Sequence, residues 1–166
     1  MLDNPVIRQS APVNKCLVIA SGLSALAALL HLVCIAVGPA GYRLLGAGEG
    51  MAQMAAAGHW YPTLVTLSIA GILSIWSLYA ASGAGLIGRL PLLRWVLLAI
   101  TLVYLLRGLG FFFLTETFPD NSIAFWYVSS AICLVFGVAH AVGLRQVWSR
   151  LTLSLHQRDS RAVTQG

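Results

Sequence analysis

Long stretches of the chain carry no charged side chain, and this feature most constrains what the chain can fold into. No Asp, Glu, Lys or Arg occurs in residues 16–42, 50–88 or 121–144, and residues 95–115 hold a single charge, Arg107. A helix needs about 20 residues to cross the ~30 Å hydrocarbon core of a bilayer. Each of the four stretches is long enough to supply such a helix.

The composition indicates that lipid surrounds much of the chain. Hydrophobic residues make up 58% of the sequence and charged residues only 9%, whereas soluble domains are about 25% charged. The net charge of +5 does not predict nucleic-acid binding, because the basic residues lie between apolar stretches and form no basic face interleaved with aromatic residues. We therefore expect a membrane protein with no nucleic-acid partner.

The apolar stretches predict helices and not the strands of a β-barrel. Barrel strands alternate apolar and polar residues, and segments such as residues 25–30 do not alternate. Prolines mark the predicted boundaries, since proline is tolerated in the first turn of a helix and in turns. The fold class we predict is all-α, an integral membrane bundle of four transmembrane helices. The predicted transmembrane helices are 17–38, 62–82, 91–114 and 124–147.

The distribution of Lys and Arg predicts the orientation, because cytoplasmic segments carry an excess of these residues. Eight lie on one side: Arg8, Lys15, Arg89, Arg94, Arg145, Arg150, Arg158 and Arg161. Outside the predicted helices, the other side has only Arg43, together with Glu49, Glu116 and Asp120. We expect a transmembrane domain over 17–148 in a bacterial inner membrane. The cytoplasmic tails would be 1–16 and 149–166, the second of them disordered.

The connection of residues 39–61 is the long loop on the outer side. Met51 to Ala57 are mostly good helix formers, and Trp60 and Tyr61 suit a membrane interface. We predict a short helix on the outer membrane surface there. Met51, Met54 and His59 also resemble a soft Cu(I) site, although methionine is an ordinary filler of apolar faces.

Arg107 is the main candidate for a functional residue. It lies seven residues inside the outer end of the third predicted helix, and a charge near mid-membrane disfavours insertion by about 2.5–3.5 kcal/mol. In one interpretation the side chain reaches the outer headgroups or pairs with Glu116. In the other, Arg107, His31 and Tyr104 bind an anionic lipid headgroup or a small anion in an outer-half pocket.

The histidines within the apolar stretches do not predict a metal or haem site. His31 and Cys34 share a helix face, but two ligands are too few for a metal. His140 lies in the opposite half of the membrane, roughly 13 Å from the depth of His31 at 1.5 Å per residue. We expect packing histidines, with no metal and no cofactor.

Two segments carry a resemblance to known proteins. Residues 79–94 read YAASGAGLIGRLPLLR, and residues 104–108 read YLLRG. They resemble segments of small four-helix membrane proteins of bacteria, and this resemblance implies no activity. The likeness covers mainly the second and third predicted helices.

The residues that membrane enzymes and antiporters use are missing from the predicted helices. These helices contain no carboxylate for proton coupling or general acid–base catalysis, and the chain has no Cys-x-x-Cys pair for redox chemistry. We therefore assign no catalytic residue. The first hypothesis is a non-enzymatic assembly or accessory protein, with a membrane-protein partner or a second copy. The alternative is a binder or carrier of an anion or lipid, and a membrane enzyme is third.

Overall fold

A computed structural model describes residues 12–110 and 121–164, with the backbone alone for residue 150 and residues 152–164. Within these ranges the chain forms helices and no strand, so the all-α fold class is confirmed. The helices are α1 Lys15–Val37, α2 Pro39–Leu44, α3 Glu49–Ala56, α4 Tyr61–Ala84, α5 Leu93–Leu109 and α6 Ile123–Thr164.

Three of these helices are long and apolar enough to cross a membrane. They are α1, α4 and the part of α6 from Ile123 to Ser149. The helix α5 has 17 residues, which is the lower limit of the usual range for a transmembrane helix. The described chain is thus a helical membrane protein by length and composition.

The helix ends differ from the predicted ones at two places. The helix α5 ends at Leu109, earlier than the predicted end at 114, and residues 111–120, which include Glu116, Pro119 and Asp120, lie outside the described part of the chain. The helix α6 continues to Thr164, where the sequence predicts a disordered tail over 149–166. Residues 1–11 of the predicted N-terminal tail are also outside the described ranges.

Local side-chain and glycine signals set several helix ends. The Asn14 side chain accepts a hydrogen bond of 2.9 Å from the Leu17 N–H and caps the start of α1. Gly85 ends α4 in the left-handed region with φ 85°, and its N–H bonds to the Ala81 carbonyl. Leu92 precedes α5 with φ 52°, a conformation that is uncommon for a residue with a side chain.

The four long helices form a ring in the order α1, α4, α5, α6 and back to α1. The pairs α1–α4 and α5–α6 share the most extensive contacts. Across the ring, α1 and α5 lie diagonally opposite, and no two of their Cα atoms come within 8 Å. Side chains that project into the ring therefore fill its centre.

Small residues bring the helices close together. Gly83 of α4 and Gly143 of α6 both face Leu17 of α1, which is fully buried. Ser21 and Ser77 donate hydrogen bonds of 2.9 Å to each other's backbone carbonyl groups, between α1 and α4. Small and hydroxyl residues of α4 therefore serve helix packing, by close approach and by hydrogen bonds across the contact.

The loop of residues 38–60, predicted to lie on the outer side, folds against the bundle, and the short helix predicted in it is confirmed as α3. The helix α2 was not predicted from the sequence. It packs on α1, and Cys34, Tyr42 and Ala52 form a small buried cluster there. Gly46 has φ +70°, and a Cβ there would collide with the Phe125 ring at the start of α6. The loop is therefore seated on α1 and α6.

Candidate functional site

Arg107 lies in the last turn of α5 and points toward α6. Its Nη2 donates to Ser129 Oγ at 3.3 Å and its Nη1 to Ser130 Oγ at 3.5 Å. Its guanidinium carbon is 5.2 Å from the centre of the Trp126 ring. Because α5 ends at Leu109, Arg107 lies two residues from the end of the helix, whereas the sequence predicts seven.

The environment of Arg107 is polar on one side and aromatic on the other. Trp126 is only 3% exposed. The Trp126 ring packs inside the bundle, where the Arg107 guanidinium lies on it in a cation–π contact. The predicted alternative of a pair with Glu116 falls outside the described residues, where Glu116 lies.

These partners of Arg107 were not predicted from the sequence, although the sequence contains a signal for them. Trp126, Ser129 and Ser130 are spaced at i, i+3 and i+4, which places them on one face of a helix. That face of α6 meets α5, because Gly108 and Leu134 are also in contact. Similar depth makes these three side chains candidate partners of Arg107, and the contact between α5 and α6 selects them.

Tyr104 lies one turn below Arg107 and bonds across the ring. Its hydroxyl is 3.1 Å from Ser24 Oγ of α1, which is fully buried. Its ring contacts Trp76 at 5.1 Å and Phe136 at 5.3 Å between centres. Tyr104 therefore connects the two helices that face each other diagonally, and Arg107 does not bond to its hydroxyl.

His140 is fully buried beside Tyr104, with the two ring centres 5.2 Å apart. Its Nδ1 is 2.9 Å from the Phe136 carbonyl oxygen. A carbonyl can only accept, so Nδ1 carries the proton and Nε2 is an acceptor. That Nε2 has no hydrogen-bond partner in the described part of the chain.

His31 is not brought to Arg107. Its Nδ1 is 2.8 Å from the Ala27 carbonyl oxygen of the preceding turn, and it lies on α1, diagonally opposite α5. Arg107 and Tyr104 share a face of α5, since they are three residues apart. The structure thus groups Arg107 with Ser129 and Ser130, and it groups Tyr104 with Ser24 and His140.

No metal centre is formed among the described residues. No group of three or more His, Cys, Asp or Glu side chains there could hold an ion. Cys16, Cys34 and Cys133 are free thiols. Copper binding by Met51, Met54 and His59 stays an alternative to the prediction of no metal. The His59 N–H bonds to the Met54 carbonyl at 2.9 Å, which places His59 next to the end of α3.

An ion pair connects α2 and α3 in the loop between α1 and α4. Arg43 donates to Glu49 through Nε at 2.8 Å and through Nη2 at 2.7 Å, a two-pronged contact. The hydrogen bond from Arg43 lowers the pKa of the Glu49 carboxyl, and the same contact raises the pKa of Arg43. The charges of Arg43 and Glu49 therefore neutralise each other.

The arrangement around Arg107 can bind an anion. The guanidinium is held by two serine hydroxyls at long distances and has further N–H donors. A planar fork of donors suits phosphate or carboxylate oxygens.

No protein-family model matches the chain, and neither a curated protein nor a solved structure is significantly similar to it.

Proposed function

We propose that the protein is a multi-pass protein of a bacterial inner membrane, with four transmembrane helices and cytoplasmic termini. In this topology α5 is the fourth span, and 17 residues at 1.5 Å each give a helix of about 26 Å. The local bilayer thins slightly around so short a helix. The exposed faces of α1, α4 and α6 are rich in Leu, Ile and Val and would contact lipid.

The proposed orientation is supported by contacts at one end of the bundle. The Asn14 N–H bonds to the Ala84 carbonyl at 3.0 Å, and the Asn14 side chain donates to Gln146 at 2.8 Å. The start of α1, the end of α4 and the arginine-bearing part of α6 therefore lie together. This end carries Lys15, Arg89, Arg94 and Arg145, as the positive-inside rule requires of the cytoplasmic side.

Topology reporters test this part of the proposal. Alkaline phosphatase and green fluorescent protein are fused in turn at Gly50 and at Gly166. We expect phosphatase activity at Gly50 and fluorescence at Gly166. If both fusions report the same side, the proposed number of spans is wrong. If fluorescence appears at Gly50 and phosphatase activity at Gly166, the proposed orientation is wrong.

Within this topology we propose that the cluster of Arg107, Ser129, Ser130 and Trp126 binds an anionic group at the outer membrane interface. The observation that carries the proposal is that the Arg107 guanidinium lies on the Trp126 ring and is held by two long hydrogen bonds to serine. A guanidinium has five N–H donors, so further donors can serve a ligand. The ligand would be a small anion or the phosphate of a lipid headgroup. The bound anion would neutralise the charge that α5 places near the bilayer.

Thermal unfolding of the purified protein in detergent tests the anion site. A ligand that binds only the folded state raises the melting temperature as its concentration rises. We expect inorganic phosphate or glycerol phosphate to stabilise the natural protein and to have little effect on Arg107→Gln. Arg107→Lys should respond weakly, because an ammonium group lacks the planar fork.

Arg43→Gln is the matched control. It removes one positive charge from the same proposed side, at a residue whose partner is Glu49. The stabilisation by phosphate should persist in this variant. An equal response of the natural protein and Arg107→Gln would refute the anion site, whereas a response lost in both variants would point to a general charge effect.

An assembly or accessory role is the second candidate. Gly71 on α4 is exposed, with open space where a side chain would be, and Ser68 and Ser74 lie one turn on either side of it. Exposed small residues let another transmembrane helix approach closely. If this face binds a second copy or a partner protein, Gly71→Leu should reduce the size of the complex in native electrophoresis, and an unchanged size would exclude this face.

A further inference from the structure

A groove between α5 and α6 lies at the end of the bundle that carries the arginines. Its volume is about 440 Å³, and Leu98, Ala141 and Leu144 form part of its wall. Arg145, Trp148 and Ser149 line it as well. The groove therefore joins an apolar wall to a polar end with a charge.

The charge at the groove comes from a guanidinium group that is exposed. Arg145 lies four residues after Ala141 and three before Trp148, so the three share one face of α6. Within the described ranges, no ion pair involves Arg145. Its charge is therefore not neutralised by a carboxylate of that part of the chain.

A second guanidinium lies next to the groove and fixes its aromatic residue. The Arg94 guanidinium carbon is 3.9 Å from the centre of the Trp148 ring and 5.0 Å from that of Trp95. Stacking between arginine and tryptophan is a cation–π contact that holds both side chains in place. The positive field at this end of α5 and α6 is therefore built from at least two arginines.

We propose that this groove binds one anionic phospholipid of the inner leaflet. The lipid phosphate would contact Arg145 and Ser149, and one acyl chain would lie along Leu98 and Leu144. Basic pockets between transmembrane helices on the cytoplasmic side are suited to anionic headgroups, and the apolar wall suits a chain that free phosphate lacks. The inference rests on the proposed topology, which places this end of the bundle in the cytoplasmic leaflet.

Native mass spectrometry of the full chain in detergent tests the proposal. The protein is titrated separately with phosphatidylglycerol and with phosphatidylcholine, and the bound lipid is counted from the mass. We expect phosphatidylglycerol to bind more tightly. Arg145→Gln should weaken its binding about fivefold, the effect of removing one arginine near an anionic lipid surface.

Two further variants separate charge from shape. Ala141→Phe fills the groove while keeping every arginine, and it should also weaken phosphatidylglycerol binding. Arg89→Gln is the matched control, because Arg89 is exposed at the same end of the bundle and does not line the groove. It should change the affinity by much less than Arg145→Gln does.

The outcomes that overturn the proposal are distinct. Equal affinity for the two lipids, or equal loss in Arg89→Gln and Arg145→Gln, would mean that only the overall charge attracts lipid. If millimolar inorganic phosphate releases all of the bound lipid, the apolar wall contributes nothing to the affinity for the lipid. The topology fusions are read separately, so a failed orientation is distinguished from a failed lipid site, and circular dichroism verifies that each variant is folded.

Discussion

The Tyr104 hydroxyl and Ser24 Oγ are 3.1 Å apart and join two helices whose backbones do not touch. Both side chains are buried in the centre of the ring, Ser24 at 0% and Tyr104 at 6% exposure. Hydrogen bonds between transmembrane helices contribute about 0.6–2 kcal/mol each. This bond therefore links α1 and α5 across the ring and adds to the stability of the bundle.

Tyr104→Phe should lower the free energy of unfolding by about 1 kcal/mol, because it removes the hydroxyl and keeps the ring. The measurement is unfolding by sodium dodecyl sulfate in mixed micelles. Tyr61→Phe is the control, since Tyr61 is 49% exposed and should show no change. A stability of Tyr104→Phe equal to that of the natural protein would mean that the hydroxyl bond contributes nothing.

Gly143→Ala should destabilise the bundle by about 1–3 kcal/mol, the range for overpacking a close contact. The added Cβ would lie 2.6 Å from Leu17 Cγ and 3.1 Å from the Leu17 backbone nitrogen. Because one of these atoms is backbone, α1 and α6 must separate to relieve the clash. The same unfolding titration measures the effect.

The control for that substitution is Gly22→Ala. A Cβ at Gly22 meets nothing within 4 Å, and alanine favours helix over glycine by up to about 1 kcal/mol. Gly22→Ala should therefore be neutral or stabilising in the unfolding titration. If both variants lose the same stability, the cause is not the contact with Leu17.

Acidic pH should loosen the outer loop. Arg43 lowers the pKa of Glu49 in the folded state, so the ion pair stabilises the loop above the usual glutamate pKa of ~4.3 and its contribution is lost as pH falls through the lowered value. Amide hydrogen exchange of residues 43–56 should rise in that range. In Glu49→Gln the exchange should already be faster at neutral pH, and its change through that range should be smaller.

His140→Leu should leave the free energy of unfolding unchanged or raise it. The substitution removes a buried Nε2 that has no described partner, and such an acceptor costs about 1–3 kcal/mol. The control is His31→Leu, since His31 makes the same bond to the preceding turn but is only partly buried. A loss of more than about 2 kcal/mol in His140→Leu alone would show that Nε2 has a stabilising partner.

The sequence by itself determined the helical class and most helix positions. Charge-free stretches of sufficient length permit little other than apolar helices, and the start of α4 lies within one residue of the predicted position. The helix in the outer loop was also predicted, because Met51 to Ala57 are mostly good helix formers. These are local properties, so no knowledge of the neighbouring helices was needed.

Only the tertiary structure decided which side chains meet. The sequence placed His31 and Arg107 at similar depth, but depth does not determine which helices are neighbours, and α1 and α5 are diagonally opposite. The serines that hold Arg107 and the serine that bonds Tyr104 come from α6 and α1. Packing of small residues, such as Gly143 against Leu17, sets how each helix is rotated about its axis and in which order the helices form the ring. The apolar periodicity of the sequence does not encode this rotation or order, because lipid and core are both apolar.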